Sequence, residues 1–144
     1  MANFKDSLKD GKNTELDVKR IVNKKYPGAY IVDGYFKEYD IFVPEKNFGI
    51  EVKKDVKSQE TGNYVIEIEF NGKPSALSTT KAKYWVIYDG ECYVWIKPSK
   101  LYGIISIHGE GKLARFIGEG DTKYKRAYLL PKELIKKYAT KVYY

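Results

Sequence analysis

Residues 39–53 contain two runs of alternating apolar side chains on either side of a Pro-Glu-Lys-Asn turn. This pattern predicts a β-hairpin, in which successive side chains of each strand point to opposite faces of the sheet. A hairpin centred on that turn places Asp40 opposite Glu51, and Lys53 lies on the same face. The other face is apolar and is expected in the core; it carries Ile41, Val43, Ile50 and Val52.

The rest of the chain predicts a mixed α/β fold in which helices flank a hairpin-rich central sheet. Apolar spacing and capping signals predict helices at 14–26, 75–82, 98–108 and 131–139. Alternating or apolar runs predict strands at 29–36, 39–43, 48–54, 63–70, 84–88, 92–97, 113–117 and 127–130. Residues 1–13 are polar and are expected to fray. We find no repeat or linker, so residues 1–144 are expected to form one domain.

Cysteine and histidine each occur once, as Cys92 and His108. An intramolecular disulfide is therefore impossible, and zinc sites built from several cysteines or histidines are excluded. Nuclease and hydrolase sites that need two histidines are excluded as well. A metal ion bound by this chain needs oxygen ligands, which favours Mg²⁺ or Mn²⁺.

No apolar run approaches the roughly 20 residues of a membrane span. The first residues, Met-Ala-Asn-Phe-Lys-Asp, also lack the apolar core of a secretory signal. We therefore expect no membrane association and a cytoplasmic location.

The chain has 26 Lys and Arg residues against 19 Asp and Glu, a formal net charge of +7. Only Arg20, Arg115 and Arg126 are arginines. Lysine attracts phosphate without the planar fork that reads base edges, so a nucleic-acid backbone is a suitable partner. Charge for solubility explains the same excess equally well.

The expected pairing of Asp40 with Glu51 brings two negative charges side by side, which destabilises a sheet. A divalent cation between them turns this repulsion into binding, and Mg²⁺ accepts such oxygen ligands together with water and phosphate oxygens. Lys53 would then hold the attacking water or neutralise charge on the phosphate. The three residues fit phosphodiester hydrolysis, although a solvated strand face with ordinary charges remains the alternative.

Glu15 lies three residues before Val18 and seven before Val22, which places it on the apolar stripe of the first predicted helix. A carboxylate that faces the sheet needs a partner, because burial of an unpaired charge is costly. A metal cluster or its water would supply one. The helix dipole is the alternative reason for an acid in the first turn.

The order Glu15, Asp40, Glu51-Val52-Lys53 resembles the PD-(D/E)xK nuclease superfamily, in particular its small Holliday-junction-resolvase-like and viral members. The resemblance implies a restriction-endonuclease-like mixed central β-sheet flanked by helices and an Mg²⁺-dependent DNA endonuclease, with Mn²⁺ as a substitute. It implies that Asp40, Glu51 and the Val52 carbonyl are metal ligands, Lys53 the catalytic lysine and Glu15 the supporting acid. It also favours a homodimer, as in junction resolvases, and a viral origin is one interpretation. The DNA substrate stays open: branched or junction DNA, duplex sites of a restriction or homing type, and flaps all fit.

The segment 63–85 is also similar to viral nucleases of this type, in which a polar strand and a Ser/Thr-rich turn complete the site. On this resemblance, four residues are candidates for contacting nucleic acid: Ser75, Thr79, Lys81 and Lys83. Helix capping and solvent exposure explain them as well. Glu69, on one strand face with Glu67, is a candidate accessory acid, and whether Glu67, Glu69 or Asp33 joins the metal site is left open.

Two other functions remain open from the sequence. A non-catalytic nucleic-acid-binding module on a nuclease-like fold would bind with steep salt dependence and would not cleave. A structural or inhibitory interaction protein would have no nucleic-acid affinity.

Overall fold

The computed structural model describes residues 4–35, 37–118 and 120–144. Over these ranges the chain is mixed α/β, with a central mixed sheet flanked by helices, which confirms the predicted class. The helices are α1 (Phe4–Asn23), α2 (Ser58–Thr61), α3 (Pro98–His108) and α4 (Lys132–Tyr138). The strands are β1 (Tyr30–Ile31), β2 (Ile41–Val43), β3 (Phe48–Lys54), β4 (Asn63–Phe70), β5 (Lys73–Pro74), β6 (Tyr84–Tyr88), β7 (Tyr93–Ile96), β8 (Leu113–Ile117), β9 (Tyr124–Pro131) and β10 (Lys141–Tyr143). Within these ranges, we find no helix whose length and apolarity suit a membrane span.

The central sheet has the order β1-β2-β3-β6-β7-β10. Its strands are antiparallel except for the β3–β6 pair, which is parallel and pairs Glu51 with Trp85. The β2–β3 hairpin pairs Ile41 with Ile50 and Val43 with Phe48, which is the predicted register. The alternation of apolar side chains and the turn composition were therefore sufficient to place this hairpin.

Four other strands form a second, antiparallel sheet with the order β5-β4-β9-β8. The sequence did not divide the strands between two sheets. A register shift interrupts the β4–β9 pairing between Glu67 and Glu69, which pair with the adjacent residues Ala127 and Arg126. Because adjacent residues of a strand point to opposite faces, Glu67 and Glu69 do not share a face, contrary to the prediction.

Each face of the central sheet covers its own core. Buried valines of α1 pack on one face, against the apolar side of the β2–β3 hairpin. The other face carries Trp85 and Ile87, which pack in one cluster with residues of β4, β9, α3 and α4. Since Glu51 and Trp85 are neighbours in the parallel ladder, the acidic face of the hairpin lies on the side of the second core.

Asp89, in the turn after β6, is a fully buried acid in that second core. Its Oδ1 accepts hydrogen bonds from the backbone N–H groups of Glu91 and Cys92 at 2.9 and 2.8 Å. Its Oδ2 accepts the hydroxyl of Tyr64 at 2.7 Å. Burial alone would raise the pKa of Asp89, but these hydrogen bonds lower it below its ordinary value, so the carboxylate is charged and holds the turn closed.

Several predicted boundaries were wrong. The first helix begins at Phe4, so residues 4–13 are helical rather than frayed, and it ends at Asn23 rather than at 26. The Asn23 side chain donates to the carbonyls of Tyr26 and Ala29 at 3.1 and 3.0 Å, which turns the chain out of the helix. Only Tyr30–Ile31 of the predicted strand 29–36 is a strand, and Phe36 lies outside the described residues. The predicted helix at 75–82 is a single 3₁₀ turn, Ala76–Ser78.

Candidate active site

Asp40 lies immediately before β2 and is held by main-chain bonds on both sides. Its N–H donates to the Ile50 carbonyl at 3.0 Å, and its carbonyl accepts the Val32 N–H at 2.9 Å. The residue is 9% exposed. Its Oδ2 accepts a hydrogen bond from the Val52 N–H at 2.7 Å, so the carboxylate rests on the main chain of β3.

The Val52 carbonyl faces the same edge of the sheet as this carboxylate. β2 pairs with β3 only over Phe48–Ile50, whereas β3 continues to Lys54. In a strand, the N–H and C=O of one residue point to the same side. Because Asp40 takes the Val52 N–H, the Val52 carbonyl also points to the side that β2 leaves open.

Glu51 lies beside Asp40 on the acidic face, and its side chain is 20% exposed. Burial, followed by the negative charge and hydrogen bond of Asp40, raises the pKa of Glu51 from 4.5 to about 7, although Lys53 opposes the rise. Burial is the largest cause of this rise, and the negative charge of Asp40, expected from the hairpin register, adds to it. At neutral pH the Glu51 carboxyl therefore holds a proton for part of the time.

Lys53 shares the acidic face with Glu51, as predicted. Its Nζ lies 3.5 Å from Glu51 Oε2 and 5.4 Å from the ring centroid of Trp85. The indole ring thus lies beneath the ammonium, and cation–π attraction favours this position. The side chain is 39% exposed, so its ammonium can still reach a ligand in solvent.

Glu15 reaches the site from α1, and its partner is a lysine. Lys37 Nζ lies 3.1 Å from Glu15 Oε1 and 3.0 Å from Asp40 Oδ1. Burial and the charge of Asp40 raise the pKa of Glu15. Burial alone would lower the pKa of Lys37, but its hydrogen bonds and charge attraction to Asp40 and Glu15 raise it. Lys37 is therefore a charged bridge between the two acids.

The sequence does not mark Lys37 as a site residue. It lies in the segment between β1 and β2, where no periodicity predicts the direction of a side chain. The spacing of three residues to Asp40 is the one local signal. The contact with Glu15 joins residues 22 positions apart and could not be derived without the fold.

The oxygen atoms at this edge have the chemistry that a hard divalent cation prefers. Asp40, Glu51 and the Val52 carbonyl offer the oxygen ligands that Mg²⁺ prefers. Within the described ranges, no group of three or more His, Cys, Asp or Glu side chains is arranged around a metal position. Lys37 and Lys53 bring positive charge to Asp40 and Glu51.

An open cleft of about 350 Å³ lies over the acidic face and is lined by Lys37, Glu51, Lys53, Glu67, Thr79 and Lys81, among others. Of the four predicted nucleic-acid contacts, Thr79 and Lys81 thus line the cleft. The Ser75 hydroxyl is adjacent and donates to Glu67 at 2.8 Å. Lys83 is not part of the lining, since its ammonium lies over the Phe48 ring at 5.1 Å.

The structure separates the three acids that the sequence left undecided. Glu67 lines the cleft, and its Oε1 lies 3.4 Å from Lys125 Nζ. Glu69 instead lies 3.6 Å from Arg126 and lines a separate depression on the second sheet. Asp33 is exposed in the loop after β1.

Comparison of this chain with protein-family models, with curated proteins and with solved structures finds no match. The function of the acidic cleft must therefore be inferred from its own geometry.

Proposed function

We propose that this chain is a DNA endonuclease of the PD-(D/E)xK type that depends on Mg²⁺ or Mn²⁺. The observation that supports the proposal most is the convergence of Asp40, Glu51 and Lys53 on one face of the hairpin, with the Val52 carbonyl at the same edge. Glu51 and Lys53 line a cleft whose other lysines and Thr79 would receive phosphate.

In this proposal each residue has a separate task. Asp40, Glu51 and the Val52 carbonyl would hold the metal ion, which supplies an activated water and neutralises charge on the phosphate. The Val52 N–H fixes the orientation of the Asp40 carboxylate. The Lys53 ammonium, positioned over Trp85, would hold the water for in-line attack or stabilise charge on the phosphate.

Glu15 and Lys37 are positioning residues. Glu15 holds the Lys37 ammonium, and Lys37 in turn binds Asp40. Through this chain of contacts α1 is connected to the acidic pair. Lys37 also lines the cleft, so it can contribute positive charge toward a bound phosphate.

The substrate class proposed is branched or junction DNA, cut by a homodimer. A chain of 16.7 kDa with three arginines offers limited means of reading base edges, so contacts to backbone and shape are favoured. Sedimentation of the DNA complex measures the stoichiometry. A complex that contains one 16.7 kDa protomer rejects the dimer but leaves the nuclease proposal standing.

The decisive experiment is a cleavage panel of linear duplex, single strand, flap and four-way junction, each with Mg²⁺, Mn²⁺ or chelator. Wild type is expected to cleave at least one substrate with metal. Glu51→Ala and Lys53→Met are expected to lose roughly 10²-fold or more in rate, as when a group that stabilises the transition state is removed. Glu110→Ala, at an exposed acid outside the cleft, is the control. Cleavage by Glu51→Ala at the wild-type rate removes Glu51 from the mechanism.

One observation favours a second function, a non-catalytic nucleic-acid-binding module. Lys37 bridges Glu15 and Asp40 and so pairs with an oxygen of a proposed metal ligand, as in a site retained for stability. Such a module would bind DNA with steep salt dependence and would leave every substrate of the panel intact with either metal.

A further inference from the structure

A depression of about 370 Å³ on the second sheet concentrates positive charge. Four basic residues line it: Arg115, Lys123, Lys125 and Arg126. Lys125 Nζ pairs with Asp121 and Glu67 at 3.1 and 3.4 Å, and Arg126 pairs with Glu69 at 3.6 Å, so Arg115 and Lys123 supply the excess of positive charge among the described residues. It lies apart from the acidic cleft, with which it shares no lining residue. An excess of this kind in a concave surface attracts a polyanion.

Two of the three arginines of the chain lie directly opposite each other in this depression. Arg115 of β8 pairs with Arg126 of β9 in the ladder. Like charges at directly opposed positions destabilise a sheet, so the pair does not serve the stability of the fold. Glu69 compensates Arg126 from 3.6 Å. In the part of the chain that the structure describes, no carboxylate lies within ion-pair distance of Arg115.

Arg115 is held in an ordered position despite this repulsion. Its guanidinium carbon lies 3.9 Å from the ring centroid of Tyr124, which is half-exposed. Stacking on the ring fixes the plane of the guanidinium and reduces the entropy lost on binding. A fixed planar fork is suited to the two oxygens of a phosphate group.

A third cleft, of about 640 Å³, borders the acidic site. It shares Lys53 and Glu67 with the acidic cleft and Lys125 with the arginine depression. Lys57 also lines it. Lys125 and Arg126 are adjacent in β9, so their side chains point to opposite faces of the second sheet. The arginine depression therefore lies on the face of Glu69, away from the face of Glu67 and the acidic cleft.

We propose that Arg115 and Arg126 bind phosphates of a DNA strand that lies on this face of the second sheet. The inference rests on the proposed function for the identity of the ligand. The arginines would hold the strand at a distance from the scissile phosphate and so increase affinity without taking part in the chemistry.

The test is binding of a fluorescein-labelled DNA duplex in chelator, followed by anisotropy over a series of salt concentrations. Arg115→Gln is the first variant because it leaves the Arg126–Glu69 pair intact. We expect weaker binding, with a salt slope that is less steep by about 0.9 for the lost phosphate contact and by about 1.8 in Arg115→Gln/Arg126→Gln. The control is Lys24→Gln/Lys25→Gln, which removes two exposed charges at the end of α1 and is expected to keep the wild-type slope.

Thermal unfolding of the same variants separates a binding role from a structural one. Removal of a like charge from the ladder is expected to leave the Tm of Arg115→Gln equal to that of wild type or higher. A lower Tm together with wild-type affinity and salt slope would assign Arg115 to sheet stability and overturn the proposal. Wild-type affinity and slope in the double variant would overturn it as well.

These outcomes are independent of the nuclease function. If no substrate is cleaved but the double variant loses affinity and salt dependence, the arginine site stands and the nuclease proposal fails. If wild type cleaves and the double variant binds as wild type does, the nuclease proposal stands and the arginine site fails.

Discussion

Glu51→Gln is expected to stabilise the metal-free protein at pH 8 and to change its stability little at pH 4.5. Burial and the charge of Asp40 raise the pKa of Glu51 in the folded protein from 4.5 to about 7. The folded protein therefore retains a proton that the unfolded chain releases. Stability falls as the pH rises from about 4.5 through 7, and glutamine removes this dependence.

The magnitude follows from the two pKa values. A rise from 4.5 to about 7 corresponds to roughly 3 kcal/mol in the free energy of unfolding, since each pKa unit is worth about 1.4 kcal/mol. Glutamine is neutral and has the shape of the protonated acid. Its amide can donate to Asp40, as the protonated carboxyl does, so the hydrogen bond at this position is retained.

The assay is urea unfolding in chelator at pH 4.5 and pH 8, followed by the fluorescence of Trp85 and Trp95. The difference between Glu51→Gln and wild type is expected near zero at the lower pH and near 3 kcal/mol at the higher. Glu110→Gln, at an exposed acid, should show neither effect. An equal difference at both pH values, or a variant less stable than wild type at pH 8, would refute the reasoning.

Three other substitutions test the remaining contacts. Lys37→Met removes an ammonium 3.0 Å from Asp40 and is expected to lower the free energy of unfolding of the metal-free protein by about 2 kcal/mol. The same variant should bind Mn²⁺ more tightly in calorimetry, and an unchanged Mn²⁺ affinity would contradict this. Asp89→Asn should lower the free energy of unfolding by about 3 kcal/mol at pH 7 in urea. Because folding lowers the pKa of Asp89, this loss should shrink below about pH 4. A loss that stays constant from pH 7 to pH 3 would count against the prediction. Gly49→Ala should destabilise the protein by about 1–3 kcal/mol in thermal unfolding, because the added Cβ meets the Tyr39 ring. A Tm equal to that of wild type would show that the ring moves aside freely.

The hairpin and its acidic face could be predicted because the information is local. Alternation decides which side chains share a face, and a short turn decides which residues are opposite. These two rules were enough to bring Asp40, Glu51 and Lys53 together. Glu15 was also predicted to face the sheet, since helical spacing places it on the stripe of Val18.

The features that the sequence did not predict depend on contacts between distant segments. No local rule assigns β4 and β9 to a second sheet, because their pairing joins residues about 60 positions apart. The bulge that separates Glu67 from Glu69 belongs to that pairing and therefore could not be predicted from local sequence either. Lys37 has two acid partners, and the one on α1 becomes its neighbour only when the helix packs on the sheet.

The half of β3 that extends beyond β2 has a consequence for mutagenesis. The carbonyl oxygen of Val52 lies at this edge and belongs to the main chain, so a change of the side chain at position 52 leaves that oxygen in place. An alanine scan would record position 52 as a modest change in packing and would overlook its oxygen. Replacement of the amide between residues 52 and 53 by an ester or thioamide, through chemical ligation, is the kind of change that would reveal what this atom contributes.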